Sequence, residues 1–377
     1  MAPSLMSPSL HTAKAADVAL TCGPMLAMVF KRLGDLVSIM PSLRFMARLS
    51  GQPVQIMSPY AWTPDLYRGL DYISRVYVTG FVRLPWWLTG MERRMAAAIR
   101  EEGIGRVCLY NREGRKFRAV MGICRRAGIP LERITLGMPE WDNPTAVEEE
   151  RRPRPEDVYP AVLSITEAER ADIAGRLARE CGWRSEPIVL VHYGNGRTAM
   201  NWIGSRHGAG KWWPLENWRT VLAGVRRHMP EAMIVLTGTA AEHDVANDLA
   251  ASVGGQASHV HSLAGRTCIR ELLALQALAH SAITIDTGVA HTASAVGCPQ
   301  VVLYGAEDPR VRFCPVGWGP VITLRGGNAY ELAHKQERYR LILRLRPKTV
   351  LQLWQSLPTR PPEPCSPAPQ PRHCLEN

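Results

Sequence analysis

No uncharged apolar run in this sequence approaches the roughly 18 to 20 residues that a membrane-crossing helix needs. The stretch VALTCGPMLAMVF (18–30) superficially has the character of an export-signal core, but Asp17 precedes it and Gly23-Pro24 interrupts it. Its second half reads better as a first buried strand, so we expect no export signal. Paired cysteines are missing too. Nine lie scattered at 22, 108, 124, 181, 268, 298, 314, 365 and 374, an odd number with no C-x-x-C spacing. That argues against a zinc or disulfide framework and fits a reduced, cytoplasmic chain. No aromatic-basic RNA-binding motif is present, which argues against nucleic acid as a partner. Acidic residues are in deficit, 34 Asp and Glu against 45 Lys and Arg, a formal charge of +11 over 377 residues. Such a bias implies an anionic partner, whether nucleic acid, a nucleotide or an acidic membrane surface, and charge alone does not choose among them.

What is present is an alternation of short apolar runs and amphipathic helical stretches. MLAMVF (25–30), VQIM (54–57), RVYVT (75–79) and RVCLY (106–110) read as strands; 41–49, 91–102 and 114–128 read as helices, with Gly34-Asp35 in the loop before the first. A second series has strands at 187–193, 232–238, 281–286 and 300–305, with helices starting near Pro214, Ala241, Thr267 and Val289. HVH (259–261) also reads as strand and lacks a third metal ligand nearby. Such rhythm suggests parallel sheets covered on both faces. The fold class is therefore α/β, with two doubly wound Rossmann-like domains facing a cleft, and the site is expected at the carboxyl ends of the strands. The expected division is a loose segment 1–24, a first domain with its linker over 25–160, and a second domain over 161–345. A final helix over 346–357 and a disordered Pro-rich tail over 358–377 complete it. The linker itself is the Pro-rich, charged stretch 138–160.

The most informative stretch is ITIDTGVAHTASAVGCPQVVLYG (283–305), where a strand hands over to a helix through Asp286, Thr287 and Gly288. Unpaired backbone N–H groups and the positive end of a helix dipole make such a point receptive to phosphate. Gly288 permits close approach, Thr287 adds a hydroxyl, and His291 on the first turn can donate to a phosphate oxygen. The alternative makes Asp286 or Thr287 a simple cap and His291 a partly buried surface residue. Lys211, after strand 187–193, could neutralise a diphosphate; the alternative is a solvated loop lysine. Glu242, in the first turn after strand 232–238, could hold ribose hydroxyls or merely complement a helix dipole. As a set these three strand ends point to a nucleotide diphosphate. Asp35 could serve as a general base facing the cleft, or as a helix-capping aspartate. GNGRTA (194–199) has dinucleotide-fingerprint spacing without the helix that must follow. GSRHGAGK (204–211) fails as a Walker A loop, because Ser205 and Trp212 replace required residues.

The combination resembles the ADP-heptose:lipopolysaccharide heptosyltransferase family, glycosyltransferase family 9. DTGVAHTASAVGCPQVVLYGAEDP resembles that family's carboxy-terminal signature, and RLGDLVSIMPSLRFMARL its amino-terminal G-D segment. IVLVHYGNG…KWWPLENW and SLAGRTCIRELLALQALAHSAITIDTG are similar to two further family segments. The resemblance runs from about 25 to 357. It implies a GT-B fold, with the acceptor on the amino-terminal domain and the nucleotide-sugar on the carboxy-terminal one. By motif, Asp35 becomes the general base, Lys211 pairs with the phosphates, and Glu242 binds the ribose. Asp286, Thr287, Gly288 and His291 hold the donor's diphosphate and sugar.

The resulting expectation is an inverting glycosyltransferase that moves a heptose or related sugar from an ADP-activated donor to a lipopolysaccharide-core or other glycan acceptor. No cofactor or metal is required by any visible motif, although Mg is compatible with the substrate. The expected partners are the nucleotide-sugar, an anionic glycolipid or glycan acceptor, and the inner face of the bacterial inner membrane as a peripheral contact. Two alternatives remain open at this stage. One is a GT-B-like nucleotide- or glycan-binding protein without turnover. The other is a protein-hydroxyl glycosyltransferase, although Cys365 and Cys374 do not resemble the cysteine-bound iron site of such relatives.

Overall fold

The computed structural model describes residues 23–80, 90–110, 114–136, 160–194, 211–254, 259–305, 314–327 and 341–362. The segment 1–22, nearly all of the expected linker, the glycine-rich loop 195–210 and most of the tail lie outside the described residues.

The first lobe contains strands β1 (Met25–Met28), β2 (Val54–Ser58), β3 (Ile73–Val78), β4 (Arg106–Leu109) and β5 (Ile134–Leu136). They form a parallel sheet in the order β3-β2-β1-β4-β5. Its helices are α1 (Leu33–Ser38), α2 (Met40–Ser50), α3 (Thr63–Leu66), α4 (Met91–Glu101) and α5 (Gly114–Ala127). The second lobe contains α6 (Glu167–Cys181), β6 (Ile188–His192), α7 (Leu215–His228), β7 (Met233–Leu236), α8 (His243–Ala251) and β8 (Val260–Ser262). These are followed by α9 (Ile269–Leu278), β9 (Ser281–Ile285), α10 (Gly288–Ala295), β10 (Gln300–Tyr304), β11 (Val321–Arg325) and α11 (Pro347–Gln355). The second sheet is also parallel, in the order β11-β10-β9-β6-β7-β8.

The central strands are buried on both faces, which is why β6, β9 and β10 read as mostly apolar runs. Strand order locates the sites. In the first sheet the order reverses between β1 and β4, so the chain leaving β1 enters α1 at the switch point. In the second it reverses between β6 and β9, and Lys211 and Asp286 lie on the connections that leave those two strands. Ligands of open α/β sheets bind at such points.

Two expectations are corrected. Gly34-Asp35 lies in the first turn of α1, not in a loop, and the helix read from Pro41 is preceded by this six-residue helix. Ile39 caps the end of α1 and the start of α2, and Pro41 follows it within the first turn of α2, where its missing N–H costs nothing. The short strands β5 and β11 also went unrecognised.

Between the lobes α1 lies on α10, and one apolar cluster runs from Leu36, Val37 and Met40 to Leu273 and Ala293. The far side of the second sheet has its own core. There Trp218 is fully buried and meets Trp213 edge-on, with ring centroids 5.0 Å apart. Trp218→Ala is expected to cost about 3–5 kcal/mol, read as a lower urea midpoint. An unchanged midpoint would mean that this core closes without it. Among the described residues no helix is long and apolar enough to cross a membrane.

Candidate active site

β9 ends in Ile285, and the Asp286 N–H donates to the Leu303 carbonyl at 3.0 Å, which continues the pairing with β10 by one residue. The Asp286 side chain is only 6% exposed and receives the Lys211 ammonium at 2.5 Å. A buried carboxylate needs such a partner, because desolvation otherwise disfavours its charge. Lys211 remains 42% exposed. The solvated-loop alternative for this lysine is therefore not what the structure adopts.

Thr287 is the N-cap of α10, but its hydroxyl makes no capping bond. Its buried Oγ1 has no hydrogen-bond partner. Behind it, the Gln276 and Gln300 amides donate to the Val289 and Ala290 carbonyls at 3.0 and 2.7 Å and brace the first turn of α10. Neither glutamine was singled out from sequence. An amide that serves a helix from a neighbouring element leaves no local motif.

Glu242 closes the 3-10 turn 240–242 and starts α8; it is 4% exposed. One carboxylate oxygen, Oε2, accepts from the Thr239 N–H at 2.7 Å and the Thr239 hydroxyl at 2.9 Å. The other, Oε1, is buried without a hydrogen-bond partner. Half of this group thus caps a turn, and half is available to a hydroxyl donor. Gly194 makes room for it: a Cβ there would stand 2.1 Å from Oε1. His192, which the sequence did not single out by itself, bonds through Nδ1 to the Thr237 carbonyl at 3.0 Å. Burial lowers its pKa, while Glu242 and the bond to Thr237 oppose the fall. β9, β6 and β7 are adjacent, so Asp286, Lys211 and Glu242 all belong to one sheet edge.

Across the cleft, Asp35 is half-buried on α1, and its Oδ2 accepts from the Arg32 N–H at 3.1 Å. The capping role is real, and it also fixes the carboxylate at the lobe interface. The approach is close because both facing residues are glycine. A Cβ on Gly288 would lie 2.9 Å from the Gly34 nitrogen, and one on Gly34 would lie 2.9 Å from Cδ2 of His291. His291 is 5% exposed, contrary to the partly exposed alternative, and its Nδ1 lies 3.1 Å from the Ser38 hydroxyl. Burial lowers its pKa; Asp286 opposes this, Lys211 adds to it, and Asp35 opposes it. All three charges therefore act on one imidazole. Nearby, the Tyr60 and Trp62 rings stack at 4.6 Å, and Tyr60 feels both Arg32 and Asp35. Among the described residues no group of three His, Cys, Asp or Glu side chains is placed to hold a metal ion.

This geometry can receive a diphosphate at the start of α10 and present an ionisable carboxyl group to it from the other lobe. Known proteins show the same combination of fold and sequence. Residues 197–341 match the model of glycosyltransferase family 9 (heptosyltransferase). Lipopolysaccharide heptosyltransferase 2 of Salmonella typhimurium is 30% identical over 108 residues, covering 28% of this chain and 30% of that protein. Two solved structures are similar over nearly their whole length. A family 9 glycosyl transferase from Veillonella parvula has a TM-score of 0.68 at 15% identity, covering 89% of this chain and 97% of that one. The E. coli ADP-heptose lps heptosyltransferase II has a TM-score of 0.63 at 19% identity, covering 88% and 100%. The two parallel-sheet lobes are thus a GT-B fold, and within the second lobe the sequence is similar to glycosyltransferase family 9, the heptosyltransferases, over residues 197–341.

Proposed function

We propose that this chain is an inverting glycosyltransferase that moves a heptose from an ADP-activated donor to a lipopolysaccharide-core or related glycan acceptor. The observation that carries the reading is the packing of α1 on α10. It sets Asp35 across the lobe interface from the helix start flanked by the Lys211–Asp286 pair. The names of the similar proteins, Lipopolysaccharide heptosyltransferase 2 and ADP-heptose lps heptosyltransferase II, supply the sugar and the acceptor class.

The reaction is a single displacement. An acceptor hydroxyl gives its proton to Asp35 as its oxygen attacks the anomeric carbon. The carbon–oxygen bond to the β-phosphate breaks on the opposite face, and ADP leaves with the electron pair. Charge grows on the diphosphate, where the Lys211 ammonium and the N–H groups opening α10 stabilise it. Glu242 Oε1 accepts from the ribose. The acceptor is anionic, and the chain's positive charge draws it and the inner leaflet that carries it to a cytoplasmic enzyme bound peripherally.

The test is to incubate the protein with ADP-heptose and a heptose-deficient lipopolysaccharide core, then follow ADP release and acceptor mass together. Gain of one heptose per ADP released is expected. ADP binding with no donor consumed on any core acceptor would reduce the protein to a binding module.

A further inference from the structure

Ser38 has no counterpart in the motifs that point to Asp35, Lys211 and Asp286, yet it is the first-lobe residue that bonds to His291. It lies one helical turn after Gly34, on the last position of α1. Its hydroxyl donates to the Gly34 carbonyl at 2.8 Å. A hydroxyl has one hydrogen; given to the Gly34 carbonyl, it leaves Ser38 to accept from Nδ1 of His291, 3.1 Å away. On that assignment Nδ1 carries a proton. A neutral imidazole carries only one, which leaves Nε2 as a bare lone pair. Helical side chains lean toward the N-terminus, so this ring lies back over the first turn of α10. Its Cδ2–Nε2 edge faces Gly34, where a Cβ would stand 2.9 Å from Cδ2 and 3.4 Å from Nε2.

A lone pair repels a phosphate oxygen, whereas an N–H donates to it. We propose that Ser38 is a positioning residue that holds His291 in its Nδ1–H form, so that a nucleoside diphosphate at the start of α10 binds with uptake of one proton from solvent onto Nε2. This rests on the donor-site reading above and adds to it a role for Ser38 and a proton linkage. In the complex Nδ1–H still donates to Ser38, and the new Nε2–H donates to phosphate. The charged groups acting on the ring are Asp286 from the end of β9, Lys211 ahead of α7, and Asp35 from α1. Burial keeps the ligand-free ring neutral to a lower pH than an ordinary histidine, and the diphosphate raises its pKa on binding. The sign follows: affinity is highest below the free-ring pKa and falls as pH rises toward the bound-ring pKa.

The experiment is ADP titration across pH 6 to 9 (roughly bracketing the ordinary histidine pKa) by calorimetry in two buffers of different ionisation enthalpy. Parent, Ser38→Ala, Ser38→Thr and His291→Gln are compared. ADP's own terminal phosphate titrates equally in all four, so differences between profiles report His291 and Ser38. In the parent, affinity should fall by up to about tenfold per pH unit relative to Ser38→Ala, with matching proton uptake. Ser38→Ala frees the ring to adopt the Nε2–H tautomer, which flattens the profile and leaves it the tighter binder at the alkaline end. Ser38→Thr, which keeps the hydroxyl, should retain the parent slope, and His291→Gln should be flat. Parallel profiles for parent and Ser38→Ala would overturn the proposal while leaving the glycosyltransferase reading intact. Absence of ADP binding at every pH would remove both.

Discussion

Asp35→Asn is expected to lower heptose transfer by about 10²–10⁴-fold while leaving ADP-sugar affinity within a few-fold of the parent. The substitution keeps the side chain's shape and an oxygen that can accept from the Arg32 N–H, so α1 should keep its start. What disappears is the capacity to accept a proton. Asp35 belongs to the lobe opposite the proposed nucleotide site, and its charge is also felt there by His291. Rate and binding should therefore separate cleanly. Single-turnover transfer and ADP-sugar titration on the same preparation check this. Near-normal transfer would exclude Asp35 as the base, and lost binding with normal chemistry would move it into the donor site.

The separation is expected because each lobe contributes through a different kind of local structure, and these differed in how visible they were in the sequence. The carboxyl ends of β6, β7 and β9 were legible, because a strand buried on both faces must be apolar and the first polar residue after it marks the sheet edge. Asp286 stood out for that reason, Lys211 from its place just before a Pro-started helix, and Glu242 from the first turn of the helix after its strand. The neighbourhood of their strands followed from a doubly wound topology, although strand order itself came only with the structure. The start of α1 was not legible. Pro41 is a strong helix-start signal, and it masked a short helix that ends just before it. Strand β5 was missed because ITL is only three residues, whereas VITLR, as long as β9 and β10, was not read as a strand although its length allows one.

Nothing local distinguishes Gly34 and Gly288 from ordinary turn glycines. Their shared property is that each lacks a side chain that would fill space the other lobe occupies, and that requires both lobes to be placed. Ser38 is a plainer case. A serine inside an apolar stretch carries no motif, and its contact with a histidine 253 positions away depends on the same placement. Residues proposed to contact the donor were thus readable from the lobe that holds them. Residues that connect the lobes were not.

Lys211→Met should reduce kcat/KM by about 10²–10³-fold, and unlike the Asp35 change it should weaken ADP itself. Two effects act together. The ammonium that stabilises the departing diphosphate is lost, and Asp286 is left as a buried, unpaired carboxylate beside the anion's binding point. A diphosphate carries its charge before the reaction as well as after it, so that repulsion appears in ground-state affinity. Adding Asp286→Asn to Lys211→Met removes the repulsion without restoring the ammonium. The double variant should therefore recover part of the ADP affinity and part of the stability, yet none of the rate. The coupling measured by the four-member cycle should be clearly non-additive. Raising the salt concentration should weaken ADP binding more in the parent than in the double variant, since the half-exposed lysine is open to screening. Additive losses across the cycle would mean that the Lys211–Asp286 pair braces the loop and takes no part in holding the donor.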